Sequence, residues 1–307
     1  MNILKLLVFG MVLFLDYCIA APKNCQEENQ RLKSQVRTLE NRVMAQKVLI
    51  QQIRENKQQS ETDDFFVDLE GRTDYADCAQ AYNDGNMRSG VYRIRPLDSP
   101  TEFQVYCDMS DGGGWTVIQR RSDGSETFER AWSFYKNGFG NMQSSNGEFW
   151  LGNDKLHYLT SQGSYDLRVN LGDFDGEQRV ANYEKFQVGD EQSAYQLSFG
   201  KFSGTAGDSL AGSYHPEVQW WASHNGMKFS TYDRDNDRFE GNCAKEDKGG
   251  WWFNRCHSAN LNGFYYQGPY TGKTDNGIVW YTWHGWWYSI KNVVMKIRPA
   301  DFEPNIV

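Results

Sequence analysis

The fold of this 307-residue chain is decided by one stretch, Gly112-Gly113-Gly114-Trp115-Thr116-Val117-Ile118-Gln119-Arg120-Arg121. Short strand-like runs punctuated by Gly, Asn and Asp lie around it, for example at residues 90–94 and 103–107. A helical stretch is expected at residues 153–160, and no regular alternation of strand and helix is visible. This mixture predicts an irregular α+β domain with a mainly antiparallel sheet.

Composition limits the classes of protein that the chain can belong to. Aromatic residues make up 15% of the sequence, enough to build a large core, so disorder throughout is excluded. The net charge of −8 argues against a nucleic-acid-binding protein. One large domain with an appendage, or two domains, fits the length.

Further blocks outward from the glycine cluster carry a family resemblance. They are Gly-Phe-Gly-Asn at 138–141, Glu-Phe-Trp-Leu-Gly-Asn at 148–153, Asn-Cys-Ala at 242–244, Gly-Trp-Trp-Phe-Asn at 250–254, Cys-His-Ser-Ala-Asn-Leu-Asn-Gly at 256–263, Trp-Trp-Tyr-Ser at 286–289 and Met-Lys-Ile-Arg-Pro at 295–299. Residues 74–303 thereby resemble the fibrinogen C-terminal domain. The resemblance implies three packed subdomains: a small N-terminal one, a central sheet with helices, and a loop-rich C-terminal one that bears the binding sites.

Residues 1–20 have the pattern of a secretory signal peptide. Lys5 precedes an apolar run at 6–15, and the segment ends in small residues at Ala20 and Ala21. A membrane anchor is the alternative, but the run is shorter than the roughly 20 apolar residues that a span needs, and Asp16 interrupts it. We therefore expect a secreted, extracellular protein without a membrane span.

Residues 25–57 contain neither Gly nor Pro and predict a short parallel coiled coil, which residues 58–73 link to the large domain. With Cys25 at heptad position d, the other seam positions are Asn29, Leu32, Val36, Leu39, Val43, Gln46, Ile50 and Ile53. An amphipathic helix packed on its own domain is the alternative, and it leaves Cys25 unexplained. The seam cysteine is well placed to bond its twin, so we expect a homodimer with an interchain Cys25 disulfide.

The family resemblance pairs the remaining cysteines. Cys18 leaves with the signal peptide, and five cysteines remain. The resemblance implies the pairs Cys78–Cys107 and Cys243–Cys256, which again leaves Cys25 alone.

Acidic residues alternate at Asp233, Asp235 and Asp237, and carboxylates with this spacing in a loop suit Ca²⁺. The loop lacks the glycine and the bidentate glutamate of an EF-hand. By resemblance, the calcium ligands are the side chains of Asp235 and Asp237 and the backbone carbonyls of Phe239 and Gly241. The ion is expected to be structural. A solvated acidic turn is the alternative.

By resemblance, the polar residues of the ligand pocket are Asp247, His257 and Asp275. Related domains bind peptide ends or acetylated sugars beside the second disulfide, and an unusual cis peptide is expected at Cys256–His257. However, Thr274 and Trp286 replace the Tyr and Arg of the peptide-binding version. We therefore expect neither clot incorporation nor strong lectin activity.

An enzyme is the third alternative, because residues 207–210, Gly-Asp-Ser-Leu, imitate a hydrolase motif. Ala211 stands where a Gly-x-Ser-x-Gly elbow requires glycine, and a disulfide-bonded Cys256 has no free thiol. We therefore expect no catalysis.

The sequence and the resemblance together predict a secreted dimeric ligand for a receptor on lymphocytes or hepatocytes. This branch of the family implies an immune-inhibitory, T-cell-suppressing role and hepatocyte growth and metabolic regulation. The alternative is a calcium-dependent extracellular lectin for acetylated sugars.

Overall fold

The computed structural model describes residues 31–33, 35–36, 75–212 and 216–304. The chain divides into two compact units, Met1–Asp63 and Asp64–Val307. In the first unit, residues 31–33 and 35–36 are helical, and Leu32 and Val36 are exposed. The predicted signal peptide at 1–20, the linker at 58–73, Cys25 and the rest of the predicted coiled coil at 25–57 lie outside the described residues.

The described part of the second unit contains short helices and fifteen strands. In chain order they are α1 (Cys78–Asn83), β1 (Gly90–Ile94), β2 (Phe103–Asp108), β3 (Trp115–Arg121), α2 (Trp132–Asn137), β4 (Phe139–Gly140), β5 (Phe149–Trp150), α3 (Asn153–Ser161), β6 (Tyr165–Gly172), β7 (Gln178–Tyr183), β8 (Gln187–Val188), β9 (Leu197–Ser198), β10 (Phe202–Gly204), α4 (Pro216–Ala222), α5 (Cys243–Glu246), β11 (Ala259–Asn260), β12 (Gly268–Pro269), β13 (Val279–Trp280), α6 (Tyr281–His284), β14 (Tyr288–Ser289) and β15 (Asn292–Pro299).

The largest sheet in the described residues has nine strands, and its hydrogen-bonded neighbours all run antiparallel. Its order is β1-β2-β3-β15-β6-β7-β10, with β5 also on β3 and β4 on β5. The last strand, β15, therefore lies in the middle, where Val293, Met295 and Ile297 are fully buried. Apolar residues at every second position of a strand point to one face, which explains why this segment forms a core strand.

The glycine-rich stretch that precedes β3 forms a turn whose geometry requires glycine. Gly113 has φ +72°, and a Cβ there would lie 1.9 Å from Cε2 of Tyr82. All seven residues of β3 are buried, so this strand is covered on both faces. The Cys78–Cys107 disulfide joins α1 to β2, which is the neighbour of β3.

Aromatic side chains fill the core between the sheet and the C-terminal region. Phe229 lies with its ring centroid 5.1 Å from Tyr135 and 5.2 Å from Trp252, and Trp150 lies 6.0 Å from Trp252. Edge-to-face and tilted contacts of this kind add to the free energy gained by burying the rings. Much of the aromatic excess of the sequence is therefore core.

The structure confirms an α+β fold with a large antiparallel sheet. The strands expected at 90–94 and 103–107 are β1 and β2, and the helix expected at 153–160 is α3. β1 and β2 continue the central sheet through β3. Residues 216–290 contain only short helices and two-residue strands, which matches the loop-rich region that the resemblance implies.

Candidate ligand pocket and calcium loop

One wall of the candidate pocket begins at α5. The side chain of Asn242 caps this helix by accepting a hydrogen bond from the backbone N–H of Lys245 at 2.9 Å. Cys243, the first helical residue, is bonded to Cys256, with 5.5 Å between their Cα atoms. The backbone N–H of Asp247 donates to the carbonyl of Cys243 at 2.8 Å and ends the helix. Helix and disulfide together fix Asp247 beside Cys256.

His257 lies between two carboxylates. Its Nε2 is 3.5 Å from Oδ2 of Asp247 and 3.7 Å from Oδ2 of Asp275. Asp247 and His257 are both only 2% exposed, whereas the side chain of Asp275 is 36% exposed. The structure thus brings together the three residues that the family resemblance assigns to the pocket. The group is buried at Asp247 and His257 and open to solvent on the Asp275 side.

Asp275 reaches this position because its loop is tied to α5. The hydroxyl of Thr274 donates to the backbone carbonyl of Glu246 at 3.0 Å. The same threonine stands where the peptide-binding relatives carry tyrosine, and here its role is to hold the loop.

The surrounding charges change the acidity of the buried groups. Burial alone lowers the pKa of His257, but the carboxylates of Asp247 and Asp275 outweigh burial and raise it above its usual range. Burial also raises the pKa of Asp247, and the adjacent His257 partly offsets that rise. The pocket therefore favours an added positive charge or a shared proton.

Two side chains of β3 hold the backbone of residues 261–263, which follow the pocket residue His257 in the chain. Gln119 donates to the carbonyl of Leu261 at 2.9 Å, and Arg121 donates to the carbonyls of Leu261 and Gly263 at 3.1 and 2.8 Å. In the same segment, Asn260 donates to the carbonyl of Asp247 at 3.0 Å. Sequence reasoning missed these positioning residues, because each acts on a partner distant in sequence.

A wall of aromatic side chains stands next to His257. The indole N–H of Trp286 donates to the carbonyl of His257 at 3.4 Å, and its ring stacks on Trp221 with 6.0 Å between centroids. Trp220, the neighbour of Trp221, is 70% exposed, with the Arg255 guanidinium 5.4 Å from its ring. The Trp220-Trp221 dipeptide is the signal in the sequence that marks this wall.

The cis peptide lies one bond before the expected position. The bond between Arg255 and Cys256 is cis, whereas the expectation placed it between Cys256 and His257. The cis bond nevertheless belongs to the segment that carries His257.

The acidic loop brings two of its three alternating aspartates together. Asp235 accepts from the backbone N–H of Asp237 at 3.1 Å, and Asp237 accepts from those of Phe239 at 2.8 Å and Cys243 at 2.9 Å. Burial, reinforced by the charge of Asp235, raises the pKa of Asp237 to about 6. This excess of negative charge and oxygen donors fits a hard cation such as Ca²⁺.

Asp233 does not face this pair. Its carboxylate accepts from the backbone N–H of Trp132 at 2.9 Å and from the hydroxyl of Thr231 at 2.7 Å. Asp233 therefore anchors the loop to the start of α2. The alternating spacing of the three aspartates did not correctly predict that all three carboxylates lie together. A Cβ at Gly241 would lie 2.5 Å from the ring of Phe239, so a larger residue there requires the exposed Phe239 side chain to move.

The hydrolase-like residues do not form a catalytic pair. Ser209 is fully buried, and its hydroxyl lies 2.9 Å from that of Thr282 and accepts from the backbone N–H of Thr282 at 3.0 Å. The fully buried His224 instead accepts from the backbone N–H of Ala259 at 3.1 Å. Ser209 thus serves the packing of residues 206–210 against α6.

In the parts of the chain that the structure describes, no helix combines the length and the apolar character needed to cross a bilayer.

Comparison with known proteins identifies the class. Residues 74–300 match the family model "Fibrinogen beta and gamma chains, C-terminal globular domain". The chain therefore belongs to the fibrinogen C-terminal domain family, whose members act as ligands or structural proteins and not as enzymes.

Individual relatives extend the similarity beyond this domain. The chain is 64% identical over 292 residues to "Fibrinogen-like protein 1" of Bos taurus, which covers 94% of both proteins. Among solved structures, it resembles the fibrinogen-like globe domain of human ANGPTL2, with a TM-score of 0.68, 44% identity and coverage of 73% of this chain and 99% of that one. It also resembles lamprey fibrin D-dimer in complex with Gly-His-Arg-Pro-amide, with a TM-score of 0.73, 34% identity and coverage of 94% and 95%.

Proposed function

We propose that this protein is a secreted, disulfide-linked dimeric ligand whose fibrinogen-like domain binds a receptor on lymphocytes or hepatocytes. The proposal includes the immune-inhibitory role and the hepatocyte regulation that the family branch implies. It is supported by the family membership and by similarity to other fibrinogen-like globe domains.

The distribution of exposed aromatic side chains is the observation that carries the proposal. Six aromatic side chains in the described residues are exposed, and five of them lie in residues 220–287: Trp220, Tyr232, Phe239, Phe264 and Trp287. Trp220 alone is 70% exposed. Phe264 and Trp287 are joined in space through the ring contacts of Tyr266 and Tyr270, and interfaces are enriched in aromatic anchors that become buried on binding. The C-terminal region around the pocket is therefore our candidate receptor surface.

Dimerisation increases the strength of such binding. Leu32 and Val36, which occupy seam positions of the predicted coiled coil, are helical and exposed at 43% and 38%. A second chain on these side chains, locked by Cys25, doubles the receptor surfaces and raises the effective concentration at a cell membrane. Non-reducing electrophoresis of wild type and of Cys25→Ser tests this arrangement. We expect a covalent dimer that the substitution abolishes, and a wild type that is only monomeric contradicts it.

We further propose that Ca²⁺ stabilises the loop beside the pocket. The side chains of Asp235 and Asp237 and the backbone carbonyls of Phe239 and Gly241 are the ligands implied by resemblance. The neighbouring carboxylates of Asp235 and Asp237 support this proposal, because a cation offsets the repulsion between two negative charges in one loop. Chelation is expected to lower the melting temperature of the wild type but not that of Asp237→Asn. An equal response in both proteins argues against the site.

Receptor binding is tested with the labelled, secreted full chain on intact lymphocytes and hepatocytes. We expect saturable binding on at least one cell type, and crosslinking followed by mass spectrometry then identifies one cell-surface protein. Absence of saturable binding to both cell types contradicts the proposal. Excess N-acetylglucosamine separates the lectin alternative: binding that this sugar displaces, and that His257→Ala abolishes, supports a lectin instead.

A further inference from the structure

The spacing inside the pocket is unusual for a hydrogen-bonded group. A hydrogen bond between nitrogen and oxygen spans 2.7–3.2 Å. His257 Nε2 lies 3.5 and 3.7 Å from the two carboxylate oxygens, beyond that range on both sides. Neither Oδ2 of Asp247 nor either ring nitrogen of His257 has a hydrogen-bond partner within the described residues, although the two side chains are only 3% and 1% exposed.

Another His–Asp pair in the same molecule provides the comparison. His284 Nε2 lies 3.1 Å from Oδ2 of Asp173, which is an ordinary hydrogen bond. The wider separation around His257 is therefore a property of this site and not of every His–Asp pair in the chain.

The wider spacing fits ligands that share one metal ion. Around a tetrahedral ion with bonds of about 2.0–2.2 Å, two ligand atoms are separated by about 3.3–3.6 Å. The distance of 3.5 Å from His257 to Asp247 lies in this range, the distance of 3.7 Å from His257 to Asp275 lies just beyond it, and the donor atoms of all three residues lie within 4.8 Å of one another. Two carboxylates also supply the two negative charges that a divalent ion requires.

We propose that Asp247, His257 and Asp275 form a binding site for a divalent transition metal, with Zn²⁺ as the preferred ion. The proposal stands on this geometry and does not depend on the receptor. An imidazole ligand favours Zn²⁺ over Ca²⁺ and Mg²⁺, which prefer oxygen-only donor sets. The site is thus separate in chemistry from the acidic loop of Asp235 and Asp237.

Access and affinity follow from the burial of the three ligands. The partly exposed Asp275 gives an ion a path to the buried pair, and three protein ligands leave one position free. His257 Nδ1 has no acceptor among the described residues, and loss of such a partner typically weakens metal binding about 10–100-fold. The site is therefore weaker than a structural zinc site. An ion held there neutralises both carboxylates and excludes a cationic ligand from the pocket.

A second group of candidate ligands overlaps this one. Cys243 and Cys256 lie near Asp247, but their sulfur atoms are joined in the disulfide and are not thiolates. The zinc experiment must therefore be done without reductant, so that these thiols do not create a different site.

The test is metal binding by the oxidised full chain, with Ca²⁺ present in excess to fill the acidic loop. Equilibrium dialysis with Zn²⁺ is expected to show one ion per chain that His257→Gln and Asp275→Asn weaken at least 10-fold. His284→Gln is the matched control and is expected to bind Zn²⁺ as the wild type does. Co²⁺ in place of Zn²⁺ is expected to give the visible absorption of four-coordinate cobalt only when His257 and Asp275 are present.

The result that overturns the proposal is equal Zn²⁺ binding by the wild type and Asp275→Asn, or no binding by a folded wild type. Asp275 is on the surface side of the pocket, so its substitution is expected to leave the fold intact even if His257→Gln does not. Thermal unfolding without metal checks the fold of each variant. Since no receptor is used, failure here leaves the receptor proposal standing, and the reverse also holds.

Discussion

The substitution Arg121→Met tests whether the strand that decides the fold also holds the pocket region. The Arg121 side chain is 1% exposed, lies 3.5 Å from Glu148 and donates to the carbonyls of Leu261 and Gly263. Its guanidinium carbon also stands 3.9 Å from the ring centre of Phe128. Removing one partner of a buried ion pair typically costs about 3–5 kcal/mol, because the other charge stays buried. We therefore expect a loss of about 3–5 kcal/mol in the free energy of unfolding.

An exposed ion pair in the same sheet provides the control. Arg93 and Glu102 approach more closely, at 2.9 Å, but their side chains are 46% and 45% exposed. Exposed pairs contribute about 0–1 kcal/mol, so Arg93→Met is expected to change stability by less than 1 kcal/mol. The assay is urea unfolding at neutral pH, followed by tryptophan fluorescence with the disulfides intact. Similar losses for the two variants refute the reasoning, because distance would then matter more than burial.

Three further predictions concern groups outside the pocket. Burial lowers the pKa of His224 to about 3, so between pH 6.5 and 3 the imidazole stays neutral in the folded state but takes up a proton in the unfolded chain. The contribution of His224 to the free energy of unfolding is complete above pH 6.5 and falls toward pH 3. In urea titrations, the wild type is therefore expected to lose about 2 kcal/mol more than His224→Gln between pH 6.5 and 5. Burial opposes ionisation of Asp108, but its hydrogen bonds and its charge contact with the buried Lys296 prevail and lower its pKa. Asp108→Asn is therefore expected to reduce the free energy of unfolding by about 3 kcal/mol at pH 7, and this loss shrinks as the pH falls below about 3.9 toward the lowered pKa of the folded state. A loss that acid does not change contradicts this prediction. Gly113→Ala is expected to lower the free energy of unfolding by about 2–5 kcal/mol, and Gly176→Ala by about 1–2 kcal/mol. Both glycines have a positive φ, but only at Gly113 would a Cβ clash with a neighbouring side chain. Equal melting temperatures of the two variants exclude the clash.

Local patterns in the sequence were sufficient for the main elements of the domain. The strand-like runs at 90–94 and 103–107 and the helical stretch at 153–160 are patterns within a few residues, so β1, β2 and α3 could be predicted. The pairs Cys78–Cys107 and Cys243–Cys256, which the family resemblance implied, are both disulfides in the structure.

Long-range contacts could not be predicted in the same way. Gln119 and Arg121 lie more than 130 residues from the carbonyls that they hold, and no periodicity marks such a partnership. The alternation of Asp233 with its neighbours suggested a common target, but a backbone contact with Trp132 directs it elsewhere. Trp220 and Trp221 are adjacent and identical in type, yet only the fold makes one exposed and stacks the other on a ring.

The most direct test of the account is the affinity of secreted full-length variants for receptor-bearing cells. Trp220→Ser removes the most exposed aromatic side chain beside the pocket, and Phe134→Ser removes an aromatic side chain that is 47% exposed and lies outside residues 220–287. An anchor residue typically contributes 2 kcal/mol or more to binding, so we predict that Trp220→Ser weakens saturable binding about 30-fold while Phe134→Ser leaves it unchanged. Unchanged binding by Trp220→Ser, with loss in Phe134→Ser, contradicts the assignment of the receptor surface.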